Sequence, residues 1–583
     1  MKKLCLSIVL SFWCAGMIIT AGAYSWAWAR NIGNVSPNDT WDHLAIDSKG
    51  NVYVTTTCTG RTLIIGNDTI PNTGYQNIFI AKYDSSGNAL WAKSIPSYGN
   101  DGPSNIATDG NGNIYLVGTY TKPTQSGIYY YIIGNDTLYY SGGKDIFIAK
   151  FDTSGNILWA KSAGGTADDY VYAVCTDAAG NACITGYSGS DSLILSPDTL
   201  IRPNFFTAKY DQAGNLLWAK AGNGVGNNPN SISADASGNI YVAGSFNSPT
   251  LGYDSIVLTN LGLDNSFIVK YDVQGRVKWA QSFGGNAEDY VNGVTTDIYG
   301  DIYVTGNFFS YYFVVGNSDT VYNNFLSGGG SDIFLIKYDS SGNVKWAKSA
   351  GNAGTNTALV GSNYNDGLSV ATDSIGNVFV AGRFSGSAIN FDTDTLLNVY
   401  QINSGVSQIL LVNYDTSGRV IWAKSAGSND QINSINVSIN GSIYATGVYH
   451  GKDTINFDNG ISIENTGFDY ELFVAKLNRL CLEHDCSTTE IQKIPDENAN
   501  IVLYPNPASG NCSLQFNGYN EILSASVFDI TGREIMQLFS NQHISTYNFN
   551  VSSLPVGLYF VKVNPKSSTG KFEKAWVSKL VKE

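Results

Sequence analysis

Charged residues are scarce in this sequence, and the charge that is present is mostly negative. Asp, Glu, Lys and Arg make up 14% of the 583 residues, and the formal net charge at pH 7 is −14. Proteins that bind nucleic acid need a basic surface to neutralise phosphates, so this composition excludes nucleic acid as an expected partner.

Histidine is equally rare. None of the four histidines lies at the spacing of zinc ligands. The sequence also contains no phosphate-binding loop and no nucleophile elbow. We therefore predict no cofactor and no metal, and we interpret the histidines as surface residues: His43, His450, His484 and His543.

Long apolar runs are absent, with one exception at the N-terminus. Lys2 and Lys3 precede an apolar run over residues 4–20, and the small residues Ala21-Gly22-Ala23 follow it. This order is typical of a secretory signal peptide, so we expect residues 1–23 to be removed after Ala23. A later cleavage site at 27–29 would remove Trp28, which the repeat described below needs. Without a second run of about 20 apolar residues, we expect no transmembrane segment in the mature chain.

Cysteine is sparse as well. Removal of the signal leaves six cysteines in a compartment where disulfides form. Cys175 and Cys183 flank one predicted turn and would face each other across two strands, within reach of a disulfide. Two buried thiols are the alternative. Cys481 and Cys486 could close a small loop, and both pairings stay open at this point.

Glycine and tyrosine, in contrast, are abundant, with 62 and 36 residues. Both residue types recur in one sequence repeat that appears seven times. Each copy contains Asp-x-x-Gly-Asn, a short apolar strand, a variable loop, Phe-Ile-Ala-Lys-Tyr-Asp and Trp-Ala-Lys. The copies are marked by Trp28, Trp91, Trp159, Trp218, Trp279, Trp346 and Trp422. A repeat of this length without helical periodicity predicts a radial or solenoid array of β-structure.

Each copy is interpreted as four antiparallel strands. In the third copy, residues 171–176 and 182–186 flank the turn Asp177–Asn181, and residues 205–210 and 216–220 flank a second turn at Asp211–Asn215. Asp at the first position and Gly at the fourth are typical of a type I turn that a left-handed glycine closes.

The copies are unequal in one informative respect. There are seven turns of the first kind but six of the second, because the last copy ends at residues 471–478 without a Trp strand. The first copy begins with an unpartnered Trp strand at residues 26–30. We therefore predict an all-β fold: a seven-bladed β-propeller over residues 24–480 that the N-terminal strand closes, which removes two open edges. A linear β-solenoid is the alternative.

The amino-acid sequence of the repeat resembles that of a known family. The segments DAAGNACITG, DSIGNVFVAG and FDTSGNILWAKSAGG are similar to the bacterial seven-bladed β-propeller repeat of secreted proteins. The resemblance covers about residues 26–478. It implies a propeller with an interaction surface, and it implies no fixed catalytic residues.

The repeat disappears beyond a polar linker at residues 481–500. Three segments, 503–510, 527–535 and 554–561, resemble the type A C-terminal sorting domain of type IX secretion in Bacteroidetes, over residues 501–583. The resemblance implies a small β-sandwich that the outer-membrane translocon recognises, and a protein that is secreted or attached to the cell surface. An ordinary Ig-like appendage is the alternative. The motif residues are Pro505, Asn506, Pro507, Asp529, Gly532, Arg533, Pro555, Gly557 and Tyr559.

One polar position recurs eight residues before each first turn. If the strand that follows is innermost, these side chains would ring one mouth of a central channel, where carboxylates could hold a cation or a cationic ligand. A side-chain-capped turn that leads into the strand is the alternative. The position is occupied by Asp39, Asp101, Asp169, Asn227, Asp289, Asn365 with Asp366, and Asp430.

The loops between the second and third strands vary most in length, and one is rich in tyrosine. Exposed aromatic side chains are common binding anchors. We therefore expect a secreted or cell-surface binding protein whose ligand is a glycan or a protein. A carbohydrate-active lyase or glycosidase at the channel mouth is a less favoured alternative, because it needs a distinct pair of carboxylates. A structural surface component is another. The tyrosines are Tyr129, Tyr130, Tyr131, Tyr139 and Tyr140.

Overall fold

The computed structural model divides the chain into two compact units, Met1–Asp485 and Cys486–Glu583. Among the described residues the regular structure is β-strand, and no helix is long and apolar enough to cross a membrane. The described residues are 24–35, 42–59, 63–65, 68–71, 76–97, 99, 101–122, 130–224, 226–316, 319–323, 330–352, 364–391, 394–398, 407–427, 430–450, 454–457, 460–464, 470–479, 501–504, 511–516, 522–528, 534–542, 546–552, 554, 557–566 and 576–582. The predicted signal peptide and linker, with Cys481 and Cys486, lie outside them.

The described part of the first unit contains seven antiparallel sheets with four main strands each, which we call blades. After β1 (Tyr24–Val35), blade one contains β2 (His43–Ile46), β3 (Val52–Thr59), β4 (Leu63–Ile65), β5 (Asp68–Ile70), β6 (Gln76–Tyr83) and β7 (Ala89–Ile95). Blade two contains β8 (Gly102–Thr108), β9 (Ile114–Thr121), β10 (Tyr130–Ile133), β11 (Asp136–Tyr139), β12 (Lys144–Phe151) and β13 (Ile157–Ala163). Blade three contains β14 (Asp169–Thr176), β15 (Ala182–Ser188), β16 (Ser192–Leu195), β17 (Asp198–Ile201), β18 (Phe205–Tyr210) and β19 (Leu216–Gly222).

The remaining blades repeat this order. Blade four contains β20 (Asn227–Ala234), β21 (Ile240–Phe246), β22 (Thr250–Tyr253), β23 (Ile256–Thr259), β24 (Asn265–Tyr271) and β25 (Val277–Phe283). Blade five contains β26 (Asp289–Thr296), β27 (Ile302–Phe308), β28 (Tyr312–Val315), β29 (Asp319–Tyr322), β30 (Asp332–Tyr338) and β31 (Val344–Asn352). Blade six contains β32 (Asn365–Thr372), β33 (Val378–Phe384), β34 (Ala388–Phe391), β35 (Asp394–Leu397), β36 (Gln408–Tyr414) and β37 (Val420–Ala426). Blade seven contains β38 (Asp430–Val437), β39 (Ile443–His450), β40 (Thr454–Asn456), β41 (Ser462–Glu464) and β42 (Tyr470–Arg479).

Two kinds of hairpin therefore make up a blade. The first, second, fifth and sixth strands of each of blades one to six pair in that order as the main sheet, and the third and fourth strands form a small hairpin. This hairpin is a separate sheet in blades one to five, whereas in blade six β34 pairs with β31 of blade five. In blade seven, β1 takes the fourth place in the main sheet. It runs antiparallel to β42, with Tyr24 opposite Arg479 and Ala29 opposite Ala475.

The first strands of the blades lie next to one another. Thr108 Oγ1 in β8 donates to the Ile46 carbonyl at 2.6 Å, and Thr176 Oγ1 donates to the Thr108 carbonyl at 2.8 Å. The first and last blades are linked similarly, because Asn436 Nδ2 in β38 donates to the Leu44 carbonyl at 3.3 Å. The all-β propeller architecture predicted from the repeat is confirmed.

The Asp-x-x-Gly-Asn motif forms the predicted turns. In blade one the Asp47 amide donates to the Asn51 carbonyl at 3.0 Å, and the Gly50 amide donates to the Asp47 carbonyl at 2.9 Å. Asp47 Oδ1 also accepts the Asn51 amide at 2.9 Å. Gly50 has φ of 77°, a left-handed conformation that disfavours other residues. The Asp side chain and the left-handed Gly therefore both stabilise this turn.

Neighbouring blades are joined through a fourth-strand Trp and a third-strand Lys. Trp91 Nε1 and Lys82 Nζ of blade one donate to the Thr153 carbonyl in the second turn of blade two, at 3.3 and 2.9 Å. The Trp ring lies against the glycine of that turn, so that a Cβ on Gly155 would approach the Trp91 ring to 3.0 Å. The repeat therefore encodes the contacts between blades as well as the strands within them.

The second unit is a smaller β-structure with two sheets, ordered β43-β44-β47 and β46-β45-β48-β49. Its core includes Leu514, Val527, Val561 and Leu580. The strands are β43 (Ile501–Tyr504), β44 (Asn511–Phe516), β45 (Ile522–Phe528), β46 (Glu534–Gln542), β47 (Thr546–Asn550), β48 (Gly557–Lys566) and β49 (Trp576–Lys582).

Candidate functional site

The first strands of all seven blades line a central cavity of about 490 Å³. Its wall carries an aliphatic side chain from each blade at the same position, three residues before the first turn. These side chains are Leu44, Ile106, Val174, Ile232, Val294, Val370 and Ile435. The titratable residues in the wall are His43, Asp47 and Cys175.

His43 is the histidine that reaches this cavity. Burial lowers its pKa to about 4, so the imidazole is neutral near pH 7. Its Nδ1 lies 3.4 Å from Asn105 Nδ2. His43 is thus half-buried in the cavity wall beside Asn105 of blade two. Among the described residues no group of three or more His, Cys, Asp or Glu side chains is arranged to hold a metal ion.

Most of the first strands carry a β-bulge near one end. In β26 the register shifts at Asn292, between Val291 and Gly293. The side chain at this position reaches across to the next blade, where Asn292 Nδ2 donates to the Gly367 carbonyl at 3.0 Å and Asn230 Nδ2 donates to the Val291 carbonyl at 2.7 Å. In blade seven, Asn433 donates to Asp42. A bulge redirects a side chain, and here it provides links between blades.

Asp42 is the acidic residue among the side chains that link neighbouring blades in this way. Its carboxyl is fully buried and also accepts Thr446 Oγ1 at 3.3 Å. Burial raises its pKa to about 7. The sequence analysis missed the importance of this position, although a polar residue five places before the first turn recurs in most copies.

The predicted ring of aspartates lies in buried turns. Asp101 accepts Ser97 Oγ and the Thr121 amide, both at 2.6 Å. Asp169 accepts the Gly165 amide at 2.7 Å, and Asp289 accepts the Gly285 amide at 2.6 Å. Burial raises the pKa of all three carboxyls.

The other ring positions are similar. Asp366 forms an ion pair with Arg383 at 2.8 Å, Asp430 is buried, and Asp39 lies outside the described residues. None of the described ring aspartates belongs to the cavity wall. Their contacts are those expected for the alternative, a side-chain-capped turn. A ligand-binding role for these side chains stays a prediction.

The tyrosine-rich segment forms the small hairpin of blade two. Tyr130 and Tyr139 are directly opposite each other, with ring centroids 6.5 Å apart and exposed fractions of 45% and 67%. Tyr131 points inward and is buried, Tyr140 is half-buried against Tyr120, and Tyr129 lies outside the described residues.

Blade five repeats this arrangement, which the sequence analysis missed. Tyr312 and Tyr322 are opposite each other on the small hairpin, with ring centroids 6.2 Å apart and exposed fractions of 57% and 62%. The double tyrosine Tyr311-Tyr312 was a usable signal, but the hairpin register decides which of the two is opposite Tyr322.

In the second unit, two of the predicted motif residues can be placed. Gly557 begins β48 opposite Lys582, and Tyr559 is buried in the core. The remaining ones lie outside the described residues: Pro505, Asn506, Pro507, Asp529, Gly532, Arg533 and Pro555.

Known family models match one segment in each part of the chain. Residues 502–578 match the secretion system C-terminal sorting domain, and residues 278–307 match the family of the beta-propeller repeat. An uncharacterized WD repeat-containing protein, L264 of Acanthamoeba polyphaga mimivirus, is 25% identical in an alignment of 527 residues that covers 74% of this chain and 36% of that protein. The regulatory protein FlaEY of Caulobacter vibrioides is 28% identical over 24% of this chain and 15% of its own length. The chain thus spans little more than a third of the first relative and about a seventh of the second.

Two solved structures show more distant likeness. A chain of the mitotic checkpoint complex aligns with a TM-score of 0.37 and 8% identity, over 76% of this chain and 96% of its own. The extracellular domain of a one-component system from B. thetaiotaomicron aligns with a TM-score of 0.17 and 10% identity, over 95% and 99%. Likeness this remote carries no information about ligand or activity.

The fold is a β-propeller, and residues 278–307 match a known beta-propeller repeat. The chain also carries a type IX C-terminal sorting domain, which makes it a secreted or outer-membrane surface protein. These two statements confirm the resemblances found in the repeat and in the tail.

Proposed function

We propose that this protein is a binding protein of the cell exterior whose propeller holds a neutral glycan. The supporting observation is the pair of exposed, cross-strand tyrosines on the small hairpins of blades two and five. A tyrosine ring offers an apolar face and a hydroxyl group at low entropic cost. The net charge of −14 disfavours a polyanionic ligand.

The same register positions in other small hairpins support this proposal. Blade three has Ser192 opposite Ile201, and blade four has Thr250 opposite Thr259. Hairpins of this shape therefore form without paired tyrosines, so packing alone does not account for the aromatic pairs.

The proposal includes the route of export. The signal peptide would be cleaved after Ala23, and the C-terminal domain would engage the outer-membrane translocon. The carbohydrate-active enzyme is the weaker alternative, since it needs two carboxylates about 5 to 10 Å apart beside the substrate. Asp47 is the single carboxylate among the described residues in the cavity wall.

An array of neutral and acidic polysaccharides, probed with the full-length mature protein, tests the proposal. We expect binding to neutral polysaccharides that falls about tenfold, or ~1.4 kcal/mol, when either tyrosine pair is replaced by alanine. Thr250→Ala with Thr259→Ala is the matched control and should leave binding unchanged. Binding that survives the loss of both tyrosine pairs contradicts the proposal, and release of shortened glycans from the array would favour the enzyme.

A further inference from the structure

Cys175 and Cys183 lie directly opposite each other in blade three, in register between β14 and β15. The turn between them has the predicted pairing, with the Asp177 amide donating to the Asn181 carbonyl at 3.0 Å. Cys183 is fully buried, whereas Cys175 is partly exposed and belongs to the cavity wall. A hydrogen bond between the two thiols, together with burial, raises the pKa of Cys175.

The other six blades fill these two positions differently. In each, a small or polar residue of the first strand is opposite an aromatic residue of the second. The pairs are Ala45–Tyr53, Ala107–Tyr115, Ser233–Tyr241, Thr295–Tyr303, Ala371–Phe379 and Asn436–Tyr444. In blade three both members of the pair are cysteine. A disulfide requires cysteine at both positions, whereas a buried free thiol requires cysteine at only one of them.

The exchange also removes a contact that five other blades keep. In blade two, for example, Lys150 Nζ lies 4.8 Å from the centre of the Tyr115 ring, a cation–π distance. Without a ring at this position, Lys209 Nζ of blade three instead reaches Asp177 directly, at 2.7 Å. The second strand of blade three thus lacks the aromatic side chain that contacts the lysine of the adjacent main strand in those five blades.

We propose that Cys175 and Cys183 form a cross-strand disulfide in the exported protein. Outside the cytosol, thiols encounter oxidants and disulfides persist. The Cys175 thiol, reached through the cavity, first loses its proton. The resulting thiolate attacks a small-molecule disulfide, forms a mixed disulfide and releases one thiol. The Cys183 thiolate then attacks the Cys175 sulfur and displaces the second thiol. The two protein thiols lose two electrons and two protons, and the external disulfide takes them up.

Mass spectrometry of the full-length protein tests the bond. The folded protein is incubated with glutathione disulfide, unfolded in acidic guanidinium, alkylated and digested. We expect one cross-linked species that joins the peptides of Cys175 and Cys183, is lighter by two hydrogen atoms, and resists alkylation until reductant is added. Alkylation of both residues without reductant would overturn the proposal.

Single variants test the order of attack. Cys183→Ala should retain a glutathione adduct on Cys175, whereas Cys175→Ala should acquire none on the buried Cys183. Equal adducts on both variants would overturn the assignment of Cys175 as the attacking thiol.

A matched variant separates the bond from a general effect of mutation. Cys175→Ala combined with Cys183→Tyr rebuilds the pair of blades one and two, so it should fold. Reduction should lower the thermal midpoint of the native protein and leave that of this variant unchanged. An equal response of both proteins to reduction would contradict the disulfide.

Discussion

Two junctions between neighbouring blades are built from the same repeat but differ in their hydrogen bonds. Where blade seven meets blade one, Trp28 Nε1 and Lys476 Nζ donate to the Ser85 carbonyl, at 3.2 and 2.9 Å. Where blade six meets blade seven, the last blade has no second turn to provide that carbonyl. Trp422 Nε1 is buried there without a hydrogen-bond partner, and Asn413 replaces the lysine.

The difference shows that the lysine depends on the neighbouring blade. An ammonium group taken out of water needs acceptors to offset its desolvation, and the second turn of the next blade provides one. Where that turn is missing, an uncharged asparagine takes the place of the lysine. The junction that the N-terminal strand builds is therefore equivalent to those within the repeat, and the junction before it is the incomplete one.

Deletion of residues 24–35 removes the complete junction and should have the largest effect. Tyr24, Trp26, Trp28, Ala29 and Ile32 are all buried. Each large apolar side chain is worth about 1.5–3 kcal/mol on burial, and their sum is comparable with the stability of a domain. The deletion also exposes the edge of β42. We expect aggregation in size-exclusion chromatography and loss of a cooperative thermal transition; a monomer that melts like the full chain would contradict this.

The complete junction should weaken as the pH rises, because of Asp42. Its pKa is about 7 in the folded protein and about 4 when unfolded, so the folded state retains a proton that the unfolded state releases. Its stabilising contribution is full below pH 4 and is lost as the pH rises through 7, by on the order of 2–4 kcal/mol.

Thermal melts between pH 5 and pH 8 measure this effect. Asp42→Asn should flatten the decline in the midpoint, because Asn230 and Asn292 already occupy the equivalent position in blades four and five. A variant with the same pH dependence as the native protein would show that another group titrates.

A matched pair of tryptophan substitutions should have the smallest effects and compares the two junctions directly. Trp28→Phe removes a hydrogen bond to the Ser85 carbonyl and should cost about 1 kcal/mol of unfolding free energy. Trp422→Phe removes a donor that has no partner, so we expect no loss or a slight gain. Denaturant titration measures both, and equal losses would contradict the difference between the junctions.

Much of the fold could be predicted from the sequence, because its determinants are local. Asp and Gly at fixed turn positions, such as Asp47 and Gly50, specify the hairpins without help from the rest of the chain. The unpaired strand at the start of the repeat and the missing strand at its end indicated that β1 would lie beside β42.

The candidate site was less predictable, because its determinants are not local. The bulge at Asn292 shifts the register by one residue, and strict alternation along the strand does not reveal it. His43 is half-buried beside residues that are distant in sequence, Asn105 among them. The exposure of Tyr312 and the burial of Tyr131 depend on hairpin register, which tyrosine content alone does not fix.

The pairing of β1 with β42 has a consequence for how the chain folds. Asn31 and its hydrogen-bond partner Glu471 are 440 residues apart in sequence. Closing a loop of this length costs about 5 kcal/mol of chain entropy, which no local contact along the way offsets directly. The first strand of the repeat to be synthesised is thus among the last to find its partner. Until then, the tryptophan-rich strand β1 and the edge of β42 are exposed to chaperones, proteases and other copies of the chain.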